Sequence, residues 1–94
     1  MLVAQGSADT ANPPWTSLQL YRADHAGPTY YLDLFGASHL IPYEGTNPVE
    51  RLVARVTLDF FDRYVLGQAG ALKTMTRDAS VVGAALVSGG RPPP

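Results

Sequence analysis

Apolar and polar positions along the chain fall into blocks with different periods. Leu2-Val3-Ala4-Gln5 is a short apolar run closed by Gly6 and reads as a buried strand. Ser7 to Pro14 is small, polar and then doubly proline, which suits a loop entering a helix with Asn12 as N-cap. That helix carries Trp15, Leu18 and Tyr21 on one face and ends around Asp24 to Gly27. Thr29 to Phe35 is aromatic and apolar, opened by Pro28 and closed by Gly36, and reads as the strongest strand. A loop follows from Ala37 to Thr46, where Pro42 and Gly45 prevent regular structure. Asn47-Pro48 then opens the strongest helix as N-cap and N1 proline, with Glu50 at N3. Leu52, Val53, Val56, Phe60 and Tyr64 recur at helical spacing until Gly67, and Phe60, Phe61 and Tyr64 are expected on its buried face. A shorter helix is expected from Ala69 to Ala79, and a last strand from Val81 to Val87.

Two strands separated by a helical crossover imply a parallel pair. Such a pair needs helices on both faces and further strands beside it, so this order predicts an α/β fold with the rest of the sheet missing. Composition supports a piece of something larger. Charged residues make up only 16% of the 94, where about a quarter is usual for a free-standing domain. One domain is expected over residues 1–90, with Arg91-Pro92-Pro93-Pro94 as a disordered tail.

The net charge of −1 leaves no basic stripe for a nucleic acid. Without cysteine, neither a disulfide framework nor a thiolate metal site is available. No apolar stretch approaches the length of a membrane span. Met1 to Gly6 lacks the basic region and the length of a signal peptide; any such peptide would lie upstream, which leaves localisation open between cytoplasmic and secreted.

Asp9 follows the first strand and His39 follows the second. In open α/β sheets the functional crevice lies at the carboxyl ends of parallel strands, so adjacent strands would bring both side chains to one rim. A carboxylate that accepts the histidine Nδ1–H fixes the tautomer and stabilises the imidazolium formed when the other nitrogen takes a proton. Taken singly, an aspartate after a strand is more often a turn residue and a loop histidine more often a surface group; their pairing in this order is what points to chemistry. His25, beside Asp24 at a helix end, reads as a solvated residue. Asp9, His25, His39 and Glu44 match no metal-ligand spacing, and no cofactor is expected. Trp15 is the candidate for lining a substrate pocket, with the Tyr30-Tyr31 pair as core or pocket.

The segment Leu2 to Thr10, followed by Pro13, resembles the strand and acid loop of α/β-hydrolases, and Tyr31-Leu32-Asp33-Leu34-Phe35-Gly36-Ala37-Ser38-His39 resembles their final strand and histidine loop. The "G-A-S-H" loop is most similar to the dienelactone-hydrolase, cutinase and chlorophyllase-like branch, and the helix Arg51 to Leu66 is similar to the C-terminal helix that covers the sheet. The resemblance covers Leu2 to about Leu66. It implies the C-terminal part of an α/β-hydrolase fold, two parallel strands with a crossover helix and a long C-terminal helix, acting on carboxylic esters or related acyl bonds. It also implies a triad in the chain order Ser, Asp, His, with Asp9 as the orienting acid and His39 as the general base.

The nucleophilic serine and the oxyanion donors would then lie upstream of Asp9, where this chain has one strand. Ser38 sits in Gly36-Ala37-Ser38-His39-Leu40, which lacks the final glycine of a nucleophile elbow. The expected partners are a small-molecule ester substrate and the missing N-terminal part of the fold. A small non-catalytic interaction module and one half of a split hydrolase are the alternative readings.

Overall fold

The computed structural model describes residues 1–24 and 28–81 and the backbone of 85–89. Expectations for His25 and for the tail at 91–94 lie outside the described residues. The chain forms β1 (Leu2–Gly6), α1 (Pro14–Ala23), β2 (Tyr30–Leu34), α2 (Pro48–Tyr64), α3 (Ala71–Ala79) and β3 (Ala85–Gly89). β1 pairs with β2 in parallel, Leu2 opposite Tyr30 through Gly6 opposite Leu34, with α1 as the connection. Among the described residues this is an α/β arrangement with two parallel strands and three helices. β3 lies on the other side of β2 and runs antiparallel to it. The expected last strand is thus shifted from Val81–Val87 to Ala85–Gly89.

Side-chain alternation sorts the sheet into two faces. Tyr30, Leu32 and Leu34 point to one face and form the core with Leu52, Val53 and Val56 of α2 and Met75 and Ala79 of α3. Gln5 and Tyr31 point to the other, where Ser17 and Tyr21 of α1 meet them. Both faces of the parallel pair are therefore covered by helix, as such pairs require.

α2 begins as its sequence dictates. Asn47 Oδ1 accepts the Glu50 backbone N–H at 2.9 Å, and Pro48 occupies the first turn, where its missing N–H costs nothing. Its buried stripe runs through Leu52, Val53, Val56 and Asp59, so Phe61, expected on the buried face, is half exposed, as in part is Tyr64. The helix ends at Tyr64, three residues before Gly67, whose φ of +71° turns the chain away.

α1 departs from the expected start. Pro13, not Asn12, holds the N-cap position, and it makes no side-chain cap bond. Asn12 is committed elsewhere, to Gln5 and Thr16. The buried face of α1 passes through Ser17, while Trp15 is 61% exposed.

Candidate functional site: an aspartate and a histidine at adjacent strand ends

Because β1 and β2 are parallel and in register, Gly6 and Leu34 end side by side and both following loops leave from the same rim. Three hydrogen bonds then join the loops. Ser7 N donates to Leu34 O at 3.0 Å and Ala8 N donates to Ala37 O at 3.0 Å, while Gly36 N donates to Ser7 Oγ at 2.6 Å. Gly36, with φ at +74°, turns the histidine loop back toward the acid loop.

The product is a direct bond between His39 Nδ1 and Asp9 Oδ2 at 2.8 Å. Asp9 is buried, whereas the His39 side chain is half exposed. Asp9 Oδ1 accepts the Asn12 backbone N–H at 2.7 Å, so both carboxylate oxygens are engaged. Burial pushes the Asp9 carboxyl up, but the Asn12 N–H, the His39 hydrogen bond and charge, and the Ala11 backbone outweigh it and hold it below the ordinary carboxylate range. An ionised carboxylate accepts, so His39 Nδ1 carries the proton and Nε2 is the basic nitrogen. Among the described residues nothing hydrogen-bonds Nε2. The pair can therefore take a proton at Nε2 and stabilise the resulting cation through Asp9.

The acid loop rests on Gln5, which the sequence pattern assigns to an apolar run. Gln5 is 2% exposed; its Nε2 donates to Gly6 O and Asn12 O, each at 2.9 Å, and its Oε1 accepts from Ser17 Oγ. The legible signal was Asp9 followed three residues later by Asn12, a spacing at which a carboxylate can accept a backbone N–H as a helix cap does. Tyr43 was also missed. Its hydroxyl donates to Ala4 O at 3.0 Å, and burial together with the Asp9 charge pushes its phenol up.

Asp9 and His39 are brought together; among the described residues no hydrogen bond or ring contact joins Trp15 to them, and it lines neither of two grooves on the surface. One groove, about 160 Å³, lies between Leu34 and the start of α2. The other, about 320 Å³, lies between β1 and α2, lined by Leu2, Ala4, Tyr43, Val53, Phe60 and Phe61. Ser7 Oγ is occupied by Gly36 N, Ser17 Oγ by Gln5, and Ser38 makes no bond to His39. Among the described residues no group of three or more His, Cys, Asp or Glu side chains is placed to hold a metal ion, and no helix is long and apolar enough to cross a membrane. No protein-family model, curated protein or solved structure matches this chain.

Proposed function

We propose that the chain is the acid-and-histidine portion of a serine hydrolase of the α/β-hydrolase type, acting on carboxylic esters or related acyl bonds. The observation that carries this reading is the 2.8 Å bond from His39 Nδ1 to a fully engaged Asp9, with Nε2 left open at the rim. In the complete enzyme Nε2 takes the proton of a serine hydroxyl as the oxygen attacks the acyl carbon. It then returns that proton to the departing alkoxide, and water repeats the sequence to release the acid. The serine is supplied by polypeptide outside these 94 residues.

The edge of β1 supports the same reading. Tyr30 N bonds Met1 O and Ser7 N bonds Leu34 O, so the odd-numbered residues of β1 face β2. The main-chain groups of Leu2 and Ala4 face away, beside the apolar groove, as the edge of a sheet with room for a neighbour would. A strand added there would end on the rim that holds Asp9 and His39.

The test is hydrolysis of a short-chain p-nitrophenyl ester. The chain alone is expected to give no turnover above buffer. Joined to or mixed with a polypeptide bearing a G-x-S-x-G elbow, it is expected to turn over the ester, with roughly 10²–10⁴-fold of the rate lost in His39→Ala. Turnover by the chain alone that vanishes in His39→Ala would overturn the assignment of the serine to a separate segment.

A further inference from the structure

Asp59 is the least expected residue in the core. It lies on the buried stripe of α2, nine-tenths shielded from solvent, and its Oδ2 has no hydrogen-bond partner among the described residues. On α3, Asp78 is largely shielded as well, and its carboxyl acts on Asp59 both as a hydrogen-bond partner and through its charge. Two carboxylates are both acceptors, so they can hydrogen-bond only when one of them carries a proton. A buried carboxylate oxygen with no donor is costly when ionised and much less so when the group is neutral.

The other charged groups that bear on Asp59 are Asp62, on its own helix, and Arg77, beside Asp78 on α3. Arg77 is mostly solvated and already lies 3.5 Å from Asp78, so it cannot neutralise the pair from inside.

We propose that the buried Asp59 carboxyl is held in its protonated form in the folded core, and that this proton clasps α3 to α2 and releases it as Asp59 ionises. Burial, the Asp78 hydrogen bond and the charges of Asp78 and Asp62 push the Asp59 carboxyl up to about 6. The folded state therefore binds this proton more tightly than the unfolded chain does. The stabilisation is complete below the ordinary carboxylate range and is lost as pH rises through about 6. The clasp joins the core to the segment that continues into β3, so the device governs how firmly the C-terminal third is held. It rests on the α2–α3 contact alone and is independent of the proposed hydrolase chemistry.

The experiment is amide hydrogen exchange across α3 in the 94-residue chain near pH 5 and near pH 7.5, corrected for intrinsic exchange. The opening equilibrium follows proton affinity, so protection of α3 is expected to fall by roughly tenfold between the two conditions. Asp59→Asn keeps the shape and a donor toward Asp78 but cannot titrate, and is expected to remove that pH dependence. Carbon-13 titration of the Asp59 carboxyl in the unmodified chain gives a second reading, with a midpoint near 6 expected. An Asp59 midpoint in the ordinary carboxylate range, α3 unprotected at both conditions, or equal pH dependence in Asp59→Asn would each overturn the proposal.

Discussion

Gly6 and Ala37 approach so closely that a Cβ on Gly6 would lie 2.3 Å from the Ala37 carbonyl oxygen and 2.9 Å from that of Ser38. Both contacts are backbone, and the Ala37 carbonyl is itself held by Ala8 N. Gly6→Ala must therefore push the acid loop and the histidine loop apart. A loss of about 1–3 kcal/mol is expected in denaturant unfolding, the range for overpacking a tight site. The His39 ring signals of the folded variant should shift as its bond to Asp9 lengthens.

Asp9 fixes which ring nitrogen of His39 carries the proton. Nitrogen-15 spectra of the neutral imidazole are expected to show the Nδ1–H form in the native chain and a mixture shifted toward Nε2–H in Asp9→Ala. An unchanged tautomer ratio would mean that the 2.8 Å contact does not orient the ring.

The same carboxylate sets part of the acid response. Asp9 is held below the ordinary carboxylate range in the folded chain, so its contribution to stability is present above that range and lost as pH falls through the folded value. Asp9→Asn is expected to flatten the acid limb of a stability-versus-pH curve, while leaving the limb near pH 6 attributed to Asp59 in place.

Gln5 ties three segments together inside the fold. Gln5→Leu would leave the buried Ser17 hydroxyl without its acceptor and the part-buried Asn12 carbonyl without its donor. Each group so orphaned costs about 1–3 kcal/mol, and the acid loop loses its anchor. Thermal unfolding should show a larger loss than for Asn47→Ala, where removing one N-cap costs typically about 1 kcal/mol.

Much of this arrangement was legible because local rules and tertiary contacts agree. The Asn47-Pro48 start of α2, the two strands and their parallel pairing all follow from periodicity and turn chemistry. The Asp9–His39 contact followed from topology, since residues just past neighbouring parallel strands must share a rim. What escaped was decided by partners distant in the chain. Gln5 looks like a lapse in an apolar run until Asn12 and Ser17 fold over it. Asn12 has the chemistry of a cap, but Gln5 and Thr16 claim its side chain. Asp59 sits at a helical position that periodicity reserves for an apolar residue, and only α3 explains it.

The outward edge of β1 has a practical consequence for handling the protein. The strand reads Leu-Val-Ala-Gln-Gly, with no charge, proline or bulge to discourage a second strand from docking. Of its outward carbonyls, that of Ala4 accepts the Tyr43 hydroxyl and that of Gly6 accepts Gln5 Nε2 and Asp9 N, which leaves the start of the strand as the open part. In concentrated solution two copies can zip edge to edge through these strands, and light scattering should rise steeply with concentration. Aggregation and the assembly proposed above would then compete for one row of hydrogen bonds, so a strand that covered that row would also protect the chain from itself.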